Sequence, residues 1–195
     1  MIRYPDYGAA ETAAYELLLR HGQPLPARPM RLLRDVAQVI GYEDAAEQLG
    51  MTAAEFERQC GKADAFTVRQ GSRCLVCCRM DGNPARLNFT LAHELGHIVL
   101  RHAGGSEAEE READHFASCL LCPEPVRERL PEGLSAEDVA ALCYISVAAT
   151  QAAMRRRKTE ASPALLERMN ALLGPQIDGL KPGAGEWKHP LPRAK

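Results

Sequence analysis

Two histidines stand four residues apart in the stretch NFTLAHELGHIVLRH, residues 88–102, with a glutamate directly after the first. On a helix, positions i and i+4 differ by about 40° and point the same way, so His93 and His97 can offer two imidazole nitrogens to a single ion. Glu94 lies about 100° round, too far to share the ion but close enough to hold a water beside it. Two histidine ligands, an open position for water and a carboxylate base form a hydrolytic zinc centre. Zinc brings the pKa of its water to about 7, and Glu94 then accepts the proton as attack proceeds. In a chain with six histidines, such a motif arises by chance about 0.02 times, so it carries information. Thr90-Leu91-Ala92 before it and Ile98-Val99 after it keep the helix uncharged around the motif, where an exposed helix interleaves Lys and Glu. Zn2+ is therefore the expected cofactor, with His93 and His97 as ligands and Glu94 as the catalytic base.

A third protein ligand is needed. Four glutamates compete in SEAEEREADHFA: Glu107, Glu109, Glu110 and Glu112. Ser106 followed three residues later by Glu109 makes a capping box, which occupies Glu109. Of the others, only Glu110 has an acid one turn later on its own face, Asp114, and metal-bound histidines commonly need such a carboxylate on their second nitrogen. Glu110 is thus the expected third ligand, Glu112 its rival, and Asp114 the acceptor for His93 or His97. His102 is five residues after His97, and His115 five after Glu110, so helical phase turns both away from the proposed face. His115 and Tyr144 remain candidates to stabilise the transition state if folding returns them.

These residues need elements to hold them. Residues 8–21 read as an amphipathic helix ended by His21-Gly22, followed by a proline-rich entry to a second helix at about 29–40 and a third at 52–60. The period then changes, and AFTVRQGSRCLVCCRM reads as two short strands around Gln70-Gly71-Ser72. Asn83-Pro84 opens the motif helix, which should run to Ala103 and stop at Gly104-Gly105. The capped helix from Ser106 ends at Pro123, and further helices are expected at 135–143, 146–158 and 163–173. The Gly/Pro-rich segment 174–195 reads as a flexible tail. Helices, a small sheet, then helices argue for a mostly helical α+β fold, a single domain over 1–173 with its catalytic core in 24–130 and C-terminal helices in 135–173.

Composition narrows the function. The net charge is −2, and the 46% hydrophobic content is that of a globular chain. The longest apolar run, Val139–Ile145, is far too short to span a membrane, and no secretory signal opens the chain, so a cytoplasmic protein with no membrane partner is expected. Seven cysteines, two of them adjacent, fit reduced, packed thiols better than a disulfide framework or a zinc knot. Residues 150–195 hold nine basic and four acidic side chains, and LSAEDVAALCYISVAATQAAMRRRK has a helix-turn-helix rhythm. The cluster Arg155, Arg156, Arg157 and Lys158 falls at a helix end, where the dipole favours cations anyway, so nucleic acid is not an expected partner. Oligomeric state is left open.

The stretches LNFTLAHELGHIVLRH and EEREADHFASCLLCP together resemble the ImmA/IrrE-type metallopeptidases, zinc-dependent proteins of bacteria and their mobile elements, over about 85–123 and more loosely from 24. That resemblance implies a gluzincin-like, zincin-type active-site helix beside a small antiparallel or mixed sheet, with HExxH followed by ExxxD: His93, His97 and Glu110 on zinc, Glu94 as base and Asp114 behind them. It also implies a protein substrate, a helix-turn-helix repressor of a mobile element or stress response, cut at one site. The strand RCLVCCRM is the expected sheet edge for such a substrate. The competing expectation is a zinc-containing regulatory module that binds DNA or a partner without proteolytic turnover, against which Glu94 argues because a structural zinc site needs no base.

Overall fold

The computed structural model describes residues 3–61, 63–156 and 159–180. Its first helix, α1 (Tyr7–His21), is capped by the Asp6 carboxylate, which accepts from Ala9 N–H, and it buries Ala10, Ala14, Leu17 and Leu18 on one stripe. Gly22 then takes the left-handed conformation (φ 54°) that lets its N–H and that of Gln23 close on the last carbonyls. The second helix is shorter than expected. α2 covers only Pro29–Arg34, and residues 38–41 form a strand, β1 (Gln38–Gly41), that leads directly into α3 (Tyr42–Gln48) and α4 (Ala53–Cys60). Val39 and Ile40 have β-branched side chains that serve a buried strand as well as a helix, and their two packing partners lie elsewhere in the chain.

The expected hairpin is present as β2 (Ala65–Gln70) and β3 (Arg73–Cys78), joined through Gly71-Ser72. β3 also pairs in parallel with β1, Val39 opposite Val76, which gives a three-stranded mixed sheet in the order β1-β3-β2. RCLVCCRM is therefore the central strand, hydrogen-bonded on both sides, and it cannot take an added strand; the free edge beside the motif helix is β2. Alternation along the strands splits the interior in two. Ala65, Val76 and Cys78 face the main core under α5 (Pro84–Val99), while Ile40, Phe66, Leu75 and Cys77 face Tyr42, Ala46 and Phe56 of α3 and α4.

α5 opens on Asn83, whose side chain accepts from Ala85 and Arg86 N–H, with Pro84 in the first turn. It lies between the sheet and α6 (Glu107–Leu121), which carries the expected Ser106/Glu109 capping box. α6 packs in turn on α1. The approach of α5 to α6 is close because Gly96 has no side chain: a Cβ there would stand 3.2 Å from Ala113 Cα and 3.1 Å from Phe116. The remaining helices, α7 (Glu124–Arg129), α8 (Ala136–Cys143), α9 (Val147–Met154) and α10 (Pro163–Ile177), close the main core with Val126, Leu142, Met169 and Leu173. α10 thus runs four residues past the expected boundary, and the rest of the expected tail, 181–195, lies outside the described residues. All seven cysteines are free. No helix is long and apolar enough to cross a membrane among the described residues.

Candidate metal centre

His93 and His97, one turn apart on α5, turn their Nε2 atoms toward each other at 2.9 Å. The Glu110 carboxylate from the first turn of α6 stands 3.3 Å from His93 Nε2 and 3.6 Å from His97 Nε2. One donor atom from each of these three residues lies within 4.8 Å of the others. Asp114, one turn after Glu110, accepts at 2.9 Å from His93 Nδ1, the ring nitrogen facing away from the cluster. α6 can present Glu110 and Asp114 together because they are i and i+4 on one stripe.

The donor set fits a divalent cation such as zinc. With the Nδ1 proton of His93 given to Asp114, its Nε2 carries a lone pair aimed at His97 Nε2 and the Glu110 oxygens, and a cation is what two converging imidazole lone pairs and a carboxylate hold. The electrostatics are those of a half-enclosed site. Burial lowers the His93 pKa, but the hydrogen bond and charge of Asp114, with Glu94 and Glu110, outweigh it and raise the net value. Burial and the neighbouring His93 push His97 down.

Glu94 lies one residue beyond His93 on the face toward β2, only 7% exposed. Its Oε2 accepts from the Thr67 hydroxyl at 2.5 Å. Burial raises its pKa above the ordinary carboxylate range, against the hydrogen bond from Thr67, which suits a group that must take up a proton. Between β2 and α5 runs an open cleft of about 1040 Å³, lined among others by Thr67, Phe89, His93, Glu94, His97 and Glu110.

A family model described as the IrrE N-terminal-like domain, of a peptidase family, matches residues 42–155, more than half of the chain. The chain belongs to that family. The match runs from the start of α3 to the end of α9, so it takes in β2, β3, α5, α6 and every residue of the cluster, and leaves out α1 and α10. A comparison with curated proteins finds no match. Membership in a peptidase family points to a metallopeptidase and to protein as the substrate class.

Several residues lie elsewhere than helical phase suggested. His102 does not turn away: it lines the cleft, its Nδ1 3.0 Å from His97 Nδ1. The expectation failed because α5 ends at Val99, four residues early, and Arg101 adopts a left-handed φ of 58°, which folds the chain back. Glu112 is buried against His102 rather than facing Glu110's neighbours. Neither Tyr144 nor His115 lines the cleft. Tyr144 ends α8 in the left-handed region (φ 54°), and His115 lines a second cavity with Tyr7 and Glu11. Thr67 was missed because its strand is visible in the sequence but which helix that strand packs against is not, and His102 was turned away because no local pattern announces the end of α5.

Proposed function

We propose that this protein is a zinc-dependent endopeptidase that cuts a protein substrate at a specific site, with His93, His97 and Glu110 as the metal ligands and Glu94 as the general base. The observation that carries this reading is the convergence of the two Nε2 atoms, 2.9 Å apart, on Glu110, with a buried carboxylate on the next residue along α5. Bound there, zinc supplies the Lewis acidity that polarises a peptide carbonyl and acidifies water. Glu94 takes the proton released on attack and hands it to the leaving amine; Thr67 holds the carboxylate at one oxygen and leaves the other for this work. Asp114 fixes the ring of His93.

The substrate track is β2. A two-residue turn makes Gln70 and Arg73 a hydrogen-bonded pair, so Gln70, Val68 and Phe66 bond to β3 while Ala65, Thr67 and Arg69 direct their N–H and C=O to the open edge over the cleft. An extended peptide added there runs past Glu94 and the histidines. The resemblance to the ImmA/IrrE-type proteins makes a helix-turn-helix repressor, encoded beside this gene, the substrate to try first. Purified protein loaded with zinc should cut that repressor at one bond, and a chelator should stop it. Glu94→Gln should retain zinc and lose at least a hundredfold in turnover. Undiminished cleavage by Glu94→Gln would remove Glu94 from the chemistry, and zinc binding without proteolysis of any tested repressor would favour a regulatory module instead.

A further inference from the structure

α5 closes with a pair of reversed hydrogen bonds, His102 N–H to His97 C=O at 3.0 Å and Arg101 N–H to Ile98 C=O at 3.2 Å. This helix ending usually takes glycine at its left-handed position, where this chain has Arg101. The reversal lays the His102 ring edge-on against His97, centroids 4.9 Å apart, with the two Nδ1 atoms at 3.0 Å. On its far side, His102 Nε2 is 2.9 Å from Glu112 Oε2 on α6. The His102 and Glu112 side chains are 2% and 4% exposed. Glu112 in turn accepts from Arg3 Nη2 at 2.8 and 3.1 Å and from Asp6 N–H at 2.7 Å, both ahead of α1.

We propose that His102 and Glu112 are positioning residues that select the tautomer and fix the ring plane of His97, and that Arg3 and Asp6 lock this buried chain in place. The proposal rests on His97 being a metal ligand. With Arg3 Nη2 and Asp6 N–H donating to its carboxylate, Glu112 stands as the acceptor toward His102. The His102 proton therefore sits on Nε2, facing Glu112, and its Nδ1 is an acceptor. The opposing His97 Nδ1 must then carry the proton of that ring, which leaves the Nε2 lone pair toward His93 and Glu110. A neutral imidazole has only one N–H, so the ligating nitrogen of His97 is chosen by a charge two residues away along the chain of hydrogen bonds. The two histidines are thus oriented differently. His93 uses Asp114, whose side chain is 62% exposed, and His97 uses a buried imidazole–carboxylate pair anchored by the segment ahead of α1.

The test is zinc affinity of the full chain, measured by competition with a chromophoric chelator, together with the visible absorption of the cobalt-substituted protein. His102→Phe keeps a ring of similar shape and removes both nitrogens; zinc should bind ten- to a hundredfold more weakly, and the cobalt bands should shift. Glu112→Gln should weaken zinc on its own but add little to His102→Phe, because it acts through that ring. Wild-type affinity and cobalt spectrum in His102→Phe, or strictly additive losses in the double variant, would overturn the proposal. If His102→Phe does not fold, Arg3→Met decides: Arg3 is 53% exposed, and its loss should weaken zinc severalfold in a protein that still folds, whereas unchanged zinc affinity counts against the anchor and the chain it holds. A wild-type protein that binds no zinc would fail the metal reading itself, a different result from a zinc-binding wild type that is indifferent to His102.

Discussion

His115 shows what one half-buried ring costs a fold. Its ring lies tilted against that of Tyr7, centroids 4.9 Å apart, and lines a cavity of about 320 Å³ with Glu11, Arg127 and Arg156. Burial first, then the two guanidiniums, push its pKa down to about 4, with Glu11 opposing. Burial pushes Glu11 up, yet hydrogen bonds from Thr159, Glu160 N–H and Tyr15 hold it below its ordinary value. The folded pKa of His115 lies below the unfolded value of about 6.5, so as pH falls between about 6.5 and 4 the unfolded chain takes up the proton first and stability is lost. For a half-buried ring the loss should be on the order of 2 kcal/mol over that window. Urea midpoints at several pH values should fall on this arm for the wild type and less for His115→Gln; parallel curves would mean the ring stays neutral for another reason.

At the scale of elements, the chemistry rests on how α5 sits between β2 and α6. Gly96 lies inside HELGH, and it permits the contact that brings Glu110 within reach of the histidines. In Gly96→Ala the methyl meets the Ala113 backbone at 3.2–3.3 Å, which cannot retreat as a side chain can. Overpacking of this kind costs about 1–3 kcal/mol, more than alanine's helix propensity returns. A thermal midpoint lowered by several degrees is expected, and an unchanged one would show that the helices can part without cost. On the other side of α5, Arg69 presents its N–H to the free edge of β2. Arg69→Pro removes a donor that the ladder does not use, so it should leave zinc affinity intact and reduce cleavage about tenfold, the effect of losing one main-chain bond to substrate. Cleavage at the wild-type rate would move the substrate track elsewhere. The capped starts of α5 and α6 were legible in the sequence because caps are local, and so was the hairpin. The end of α5 was not: VLRHA continues the helical composition, and only the packing of His102 between His97 and Glu112 explains why the chain turns at Arg101.

Across the whole molecule, the basic cluster after α9 has a structural use. Arg156 donates to Cys119 Sγ at 2.8 Å, Ser118 C=O at 3.2 Å and Cys122 C=O at 2.6 Å. It thereby satisfies carbonyls at the C-terminus of α6, where a cation is favoured. Arg155 is exposed, and Arg157 and Lys158 lie outside the described residues. Arg156→Met should therefore destabilise the fold by about 2–3 kcal/mol, while Arg155→Met should change stability by less than about 0.5 kcal/mol. Chemical unfolding of the two variants separates these outcomes, and equal effects would deny Arg156 its role as a tie between α9 and α6. The helix-turn-helix rhythm of α8 and α9 is real in the fold, with Tyr144 taking the left-handed turn position usually given to glycine, but one of its arginines is turned inward.

The sequence by itself determined whatever depends on neighbours along the chain. His93 and His97 share a helix face, with Glu94 about 100° round from it, because 3.6 residues make a turn, and Glu110 pairs with Asp114 for the same reason. Caps, the hairpin turn and the α+β class are of this local kind. Tertiary structure alone decided which elements meet. It set β3 in the middle of the sheet by pairing it with a strand that reads as helix, and it gave Glu94 a partner in Thr67, 27 residues away. It also tied Glu112 to Arg3 across 109 residues. Such contacts come from burying apolar faces against one another, and that burial leaves no periodic trace at the polar residues it brings together.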